Sequence, residues 1–366
     1  MPRKNGKIKV AIIGTGNCAT SLVEGVQYYS EHTNAKTGVM KMDIGGYLAG
    51  DVEFVVGFDI DERKIGLTLG EALRQKPNCS WNIVDTIKCK APVLEAPVID
   101  GYAGLMDSYP EENRFLVSEK LRNSTDMNRV SWTNRLERKW KDKIIKTLKV
   151  HEVEVLINYL PVGSQKTTEF WAEICLETGI SFVNCIPVFI ASDPAWEQRF
   201  IDAGIPLIGD DMRSQFGASI VSQMLQELAF ERGHHVKAHI QRNVGGNTDF
   251  LNMEDKNRLA SKKISKENVI RAQNEIRGIS TDDSFLHAGP SEYIHFYGDN
   301  KVANFRLELE GFGGSPVLFD AQLSVQDSPN SGGVVIDAIR YLKVARELGV
   351  VGALRGPSAF TQKTPP

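Results

Sequence analysis

No apolar run in this sequence is long. Behind the basic segment Met1–Lys9 stand only Val10, Ala11, Ile12 and Ile13 before Gly14 interrupts them. A membrane span needs about 20 apolar residues and a signal peptide about 7–15, so neither is expected and the protein is placed in the cytoplasm. Cysteine is sparse: Cys18, Cys79, Cys89, Cys175 and Cys185 are odd in number and show no CxxC spacing. That excludes a disulfide scaffold and implies reduced thiols. Charge of either sign hardly dominates, since 43 Lys and Arg face 46 Asp and Glu for a net −3. With no stretch of concentrated basic charge, nucleic acid is not an expected partner. Histidines number seven, and His235 and His239 have the i, i+4 spacing of a helical zinc pair. They alternate with Val236, Ala238 and Ile240, however, which reads as a strand. Residues four apart on a strand stand roughly 13 Å from each other, too far to share an ion. His151 and Glu154 fail in the same way.

What is present is ordinary globular composition, 42% hydrophobic and 24% charged over 366 residues, which is enough for two domains. Lys7 to Ile13 is a β-branched run ending at Gly14, as a buried parallel strand would. Asn17 to Tyr29 carries Ala19, Leu22, Val23 and Val26 at helical spacing. A polar loop from Ser30 to Gly50 leads to a second strand, Val52 to Phe58, closing a βαβ unit. Lys76 to Asp126 is expected to be irregular surface structure. Alternation resumes with a helix at Thr133 to Val150, a strand at Val153 to Asn158, a helix at Gln165 to Thr178 and a strand at Ser181 to Asn184. A long helix is expected from Ser214 to Arg232. Beyond it the period changes to two: Phe305, Leu307 and Leu309 alternate with charges, as do Phe319, Ala321, Leu323 and Val325 with polar residues, which indicates antiparallel sheet. Helix Gly332 to Leu348 is expected to return to the first unit. The fold class is therefore α/β, a doubly wound parallel Rossmann sheet over 1–235 and 326–366. A second α+β domain with a largely antiparallel sheet occupies 236–325.

Strand, Gly14-Thr15-Gly16-Asn17-Cys18-Ala19 and helix make the alanine-ended dinucleotide fingerprint. Gly14 permits the turn, Gly16 lets a pyrophosphate approach the backbone, and Ala19 lets helix and strand pack closely. The helix N-terminus offers free N–H groups and positive potential to phosphate. Asp59, ending the second strand, suits the adenosine ribose hydroxyls and repels a 2′-phosphate, so NAD is expected as cofactor. Its distance from the loop exceeds the usual ~20 residues, and the 30–50 insertion accounts for that.

Four polar clusters follow in the second half: Gly209-Asp210-Asp211-Met212-Arg213-Ser214-Gln215, Asn243 to Asn252, Gly298-Asp299-Asn300-Lys301, and Asp327 to Gly333. Lys262 and Lys266 share a face if helical, and paired ammonium groups lower each other's pKa toward the range useful for proton transfer at neutral pH. A plain alternative remains for each cluster: Ser214 as a helix cap, the lysines as a solvated run, the others as turns.

Taken in order, these segments resemble the myo-inositol-1-phosphate synthase family in its shorter prokaryotic form. The resemblance covers Gly14–Ala19, Gly209–Gln215, Asn243–Asp249, Ser261–Lys266, Gly298–Ala303 and Asp327–Ser331. It implies conversion of D-glucose 6-phosphate to an inositol phosphate with recycled NAD. C5 is oxidised, a proton leaves C6, the C6 enolate attacks the C1 aldehyde, and C5 is reduced again. By position, Lys262 takes the C5 hydroxyl proton and Lys266 contacts the phosphate and C5 side. Lys301 polarises the C1 oxygen with Asp299 holding it in place, and Lys363 is the last active-site lysine. Asn247 and Asp249 hold sugar hydroxyls, Ser214 and Gln215 the phosphate or substrate, and Asp211 and Asp327 lie near the nicotinamide. The family also implies a homotetramer built through the second domain. An assisting divalent or monovalent cation is left open. Two departures stand out: Arg213 replaces a lysine common in the family, changing geometry but not charge, and Lys363 sits near the chain end, where mobility is expected. An ordinary dehydrogenase of a small phosphorylated or amino-acid-derived substrate, or a non-catalytic NAD-binding scaffold, are the alternatives.

Overall fold

The computed structural model describes residues 3–4, 6–278 and 286–366, with the side chains of 259–266, 268–269 and 291 outside the description. Its larger sheet has seven strands, β1 (Ile8–Ile13), β2 (Val52–Asp59), β3 (Val93–Glu95), β4 (Val155–Asn158), β5 (Ser181–Asn184), β6 (Pro206–Ile208) and β11 (Gly352–Ala353). All pair in parallel in the order β11-β6-β5-β4-β1-β2-β3. The order reverses between β1 and β4, which is where open α/β sheets bind ligands. Strand β1 is apolar on both sides because both sides are covered. Val10 and Ile12 face one core with helix α1 (Asn17–Glu31), while Ala11 and Ile13 face a second core. At the bulge between Val10 and Ala11 the pairing of β2 shifts by one residue, so Phe54 joins the first core and Val56 and Phe58 the second.

The remaining helices are α2 (Leu69–Ala72), α3 (Glu119–Thr125), α4 (Asn134–Val150), α5 (Gln165–Thr178), α6 (Pro194–Asp202), α7 (Ala218–Glu231), α8 (Thr248–Asn252), α9 (Lys256–Ile276), α10 (Pro329–Glu347) and α11 (Arg355–Thr361). Helix α10 lays Val334, Val335, Ile336, Ile339 and Leu342 into the core shared with α1. The smaller sheet comprises β7 (His235–Gly245), β8 (Leu286–Tyr293), β9 (Asn300–Glu310) and β10 (Pro316–Gln326) in the order β10-β9-β7-β8. β9 runs antiparallel to both β7 and β10, whereas β8 is parallel to β7. Phe305 and Leu307 pack with Ala218, Val221 and Leu225 of α7. On edge strand β10, Val317, Leu318 and Phe319 remain exposed.

Some boundaries differ from the sequence expectations. The helix expected from Ser214 begins at Ala218 with Gly217 as its cap, so Ser214 is no cap and belongs to a loop. The segment expected to be irregular contributes β3 and α3; a three-residue strand is too short to show a period. Within it, residues 74–88 form a strap along α1. Asn17, Thr20, Glu24, Gln27 and Glu31 make one polar stripe at spacings of three and four, and each binds the strap. Asn17 accepts from Cys79 N (2.7 Å), Thr20 from Asn78 Nδ2 (3.1 Å), Glu24 from Ile83 N (2.8 Å) and Gln27 from Lys88 N (2.8 Å), while Glu24 and Glu31 pair with Arg74 and Lys88.

Candidate active site

Strand β1 runs into a tight turn at Gly14, whose φ of +84° is left-handed. A Cβ there would lie 2.6 Å from the Tyr159 carbonyl oxygen, so only glycine fits. Gly16 is the α1 N-cap in ordinary extended geometry, offers no side chain to the helix N–H groups, and precedes a first turn free of acid. A Cβ on Gly16 would meet nothing within 4 Å and would stand in the cleft that Gly16 lines. A helix N-terminus open in this way fits a pyrophosphate. Gly14, Asn17, Cys18 and Ala19 also line the cleft, whereas Thr15 is fully buried beneath it. The cleft runs from this loop past Asp59 and Tyr159 to Asp211, Asp249, Lys301 and Lys363.

Asp59 also lines the cleft, but its acceptor positions are largely taken. Thr15 donates its backbone N–H (2.7 Å) and its hydroxyl to one oxygen, and the N–H groups of Ile60 (2.8 Å) and Asp61 (2.9 Å) donate to the other. Burial opposes its charge, yet Lys64 and these donors outweigh burial and hold the carboxyl below its usual range. Asp59 thus braces the glycine loop, a role that the ribose expectation did not include.

The second sheet supplies the opposite wall, and its register explains the grouping. Asn300 pairs with Gln326 and Lys301 with Val325 across β9 and β10, while Gly245 of β7 pairs with Lys301. Residues 299 and 327, just outside the ladder, are therefore neighbours, with Asn247 close by. Lys301 Nζ bonds the Asp327 carboxylate. This corrects the expectation that Asp299 would hold Lys301. Asp299 is occupied by the N–H (3.1 Å) and hydroxyl (2.8 Å) of Ser328 and by Asn247 Nδ2 (3.0 Å). Burial, reinforced by Asp327, raises its pKa to about 6. Asn247 also caps α8, accepting from Asp249 N and Phe250 N, so most of its side chain is committed to the wall. Asp249 lines the cleft. Burial and the charges of Asp327, Asp299 and Asp249 push the Cys18 thiol up to about 12.

At the ends of β5 and β6, Asp211 accepts from Lys363 Nζ at 2.8 Å, and Lys363 also bonds the Met212 carbonyl at 2.7 Å. The segment around Lys363 is not loose. Lys363 N donates to Asp211 O, Thr364 N to Asp210 O, Asp210 N to Thr364 O and Arg213 N to Thr361 O, at 2.7–3.1 Å. Asp210, named in the 209–215 cluster without a role of its own, accepts from Ile190, Ala191 and Ser192 N–H groups, the Ser192 hydroxyl and Asn184. Ser214 lines the cleft beside Arg213, whereas Gln215 does not: its N–H donates to Asn330 O (2.7 Å) and its side-chain oxygen lies toward Gly333. Helix α9 carries positions 262 and 266, but the Lys262 and Lys266 side chains lie outside the described residues. Also missed were Lys64 and Asn78 beneath the loop, since no motif spacing marks them. His239 lies on a strand as expected, buried between Ser222 and Gln226. Among the described residues no group of three or more His, Cys, Asp or Glu is arranged to hold a metal ion.

A parallel sheet of this order, with the glycine turn at its first crossover and a cleft at the reversal, defines a protein of the Rossmann-type α/β class. The model of the myo-inositol-1-phosphate synthase family matches residues 217–328. Over 98% of its length the chain is 40% identical to the inositol-3-phosphate synthase of Corynebacterium glutamicum, 93% of which is covered. Over its whole length it is 39% identical to that of Mycolicibacterium smegmatis, 95% of which is covered. A myo-inositol-1-phosphate synthase-related protein from Thermotoga maritima shares the fold, with a TM-score of 0.74 at 23% identity, covering 98% of this chain and 93% of that one. The chain belongs to the myo-inositol-1-phosphate (inositol-3-phosphate) synthase family.

Proposed function

We propose that the chain is an isomerase converting D-glucose 6-phosphate to 1D-myo-inositol 3-phosphate, with NAD as recycled cofactor. The observation that carries this reading is the convergence of Lys301, Asp327, Asp299 and Asp249 on the glycine loop, with Lys363 and Asp211 lining the same cleft. NAD, when bound, supplies a hydride acceptor that becomes the donor again within one cycle. The chain's part is positioning and charge. Lys301 faces the C1 oxygen and stabilises the alkoxide that develops there, with Asp327 holding its ammonium group. Lys363 adds a second cation beside Asp211 at the nicotinamide end. Lys262 takes the C5 hydroxyl proton and Lys266 meets the phosphate, roles resting on family resemblance. Ser214, with Gln215 behind it, completes the phosphate end, and Asn247 and Asp249 face sugar hydroxyls. The charge of Asp59 favours NAD over its 2′-phosphorylated form.

In this reading, residues 1–235 and 326–366 hold the cofactor and 236–325 bring the catalytic cations and the subunit contacts. The exposed apolar residues of β10 support assembly as a homotetramer, and the protein works in the cytoplasm, feeding inositol toward phospholipid synthesis. The test incubates full-length protein with NAD and glucose 6-phosphate and follows inositol phosphate and NADH together. Product without NADH accumulation is expected. Steady NADH accumulation would identify a dehydrogenase, and no product from folded, NAD-loaded protein would remove the reading altogether.

A further inference from the structure

Beneath the glycine loop lies a lysine that the proposed reaction does not use. Lys64 is 1% exposed, and burying an ammonium group is costly unless it is fully bonded. Its Nζ donates to the Thr15 carbonyl (2.8 Å) and to Asn78 Oδ1 (2.8 Å), with the charges of Asp59 and Asp61 nearby. Asn78 Nδ2 donates to the same Thr15 carbonyl (3.0 Å) and to Thr20 Oγ1 (3.1 Å). Two donors therefore occupy both lone pairs of one oxygen. Asp59 meanwhile holds the N–H and hydroxyl of Thr15, so all its polar groups are fixed.

The consequence lies in the next peptide unit. Because a trans peptide is planar, its C=O and N–H point in opposite directions. Pulling the Thr15 carbonyl down toward Lys64 and Asn78 aims the Gly16 N–H the other way, toward the cleft that Gly16 lines. We propose that Lys64 and Asn78 are positioning residues that set the Thr15–Gly16 peptide plane for the dinucleotide pyrophosphate, so that the strap 74–88 on α1 governs cofactor affinity. The proposal rests on the reading of the loop as an NAD site. It extends that reading to residues that touch neither cofactor nor substrate.

The test uses full-length protein stripped of cofactor, wild type beside Asn78→Ala and Lys64→Met, with NAD affinity by calorimetry and turnover at saturating NAD. Asn78→Ala should raise the Kd for NAD about tenfold, equivalent to about 1.4 kcal/mol. Turnover at saturating NAD and the KM for glucose 6-phosphate should stay near wild type. Lys64→Met should give a larger loss of affinity; if it does not fold, the surface-side variant Asn78→Ala still decides. Asn78→Ala that melts lower but binds NAD as wild type does would overturn the proposal, leaving a purely structural clasp. Wild-type protein that binds no NAD would instead refute the underlying functional reading.

Discussion

Replacing Gly16 with alanine adds one methyl group at a position where nothing stands within 4 Å and the backbone is already in a conformation any residue adopts. The cofactor-free fold should not register the change. If a pyrophosphate sits on that backbone, the methyl group intrudes on it, and overpacking of this kind costs about 1–3 kcal/mol, or roughly 5- to 150-fold in Kd. Gly14→Ala is the internal contrast. There φ is +84° and the new Cβ meets the Tyr159 carbonyl at 2.6 Å. That carbonyl cannot easily yield, because Tyr159 N is bonded to Ile13 O at 2.9 Å. The left-handed conformation alone costs about 1–2 kcal/mol, which lowers Tm by roughly 2 °C or more. Thermal unfolding of stripped protein and calorimetric NAD titration therefore separate the two: Gly16→Ala keeps Tm and loses affinity, Gly14→Ala loses Tm. If Gly16→Ala binds NAD as tightly as wild type, the phosphates do not lie where this geometry puts them.

Lys301→Met should reduce kcat for inositol phosphate formation by about 10²–10³, the usual effect of removing one group that stabilises a developing oxyanion; a rate close to wild type would exclude Lys301 from that role. Lys363→Met removes the ammonium group bonded to the buried Asp211 carboxylate, and breaking such a pair costs about 3–5 kcal/mol, which a denaturant midpoint would reveal. His239 donates from Nδ1 to Gln226 Oε1 (2.8 Å), and its Nε2 accepts from the Ser222 hydroxyl; the neutral ring satisfies both, and burial lowers its pKa to about 4. Its folded pKa lies below its unfolded value of 6.5, so its stabilisation is complete above pH 6.5 and is lost as pH falls from 6.5 to about 4, a difference of about 3 kcal/mol. His239→Gln should flatten that part of the stability profile in urea titrations at stepped pH, and an unchanged slope would contradict the assignment.

Much of the architecture was legible because it is local. The run from Lys7 into Gly14, the helix at Thr133 to Val150 and the alternation around Phe305 each carry their period within a few residues. Signals split across the chain were not legible. The α1 stripe from Asn17 to Glu31 looks like a solvated helix face until the strap supplies its donors some sixty residues later. Asp299 and Asp327 are neighbours only through the β9–β10 register, and proximity in the motif made Asp299 the apparent partner of Lys301. The pairing of the Lys363 segment with Asp210 and Asp211 joins two stretches that share no pattern. Strand β8 runs parallel to β7, and nothing in its own residues distinguishes that from the antiparallel arrangement.

The path of the chain has a consequence for how the molecule is made. It leaves the seven-stranded sheet after β6, builds the four-stranded sheet, and only then returns with α10. The five aliphatic side chains that α10 inserts against α1 are together worth on the order of 10 kcal/mol, as much as the whole stability of a typical protein. Until α10 arrives, the apolar face of α1 that it covers stays open to water, and contacts separated by some three hundred residues make folding slow. A nascent chain must wait, exposed, until α10 emerges. Its dependence on chaperones during that interval should be greater than the regular Rossmann pattern of its first half would suggest.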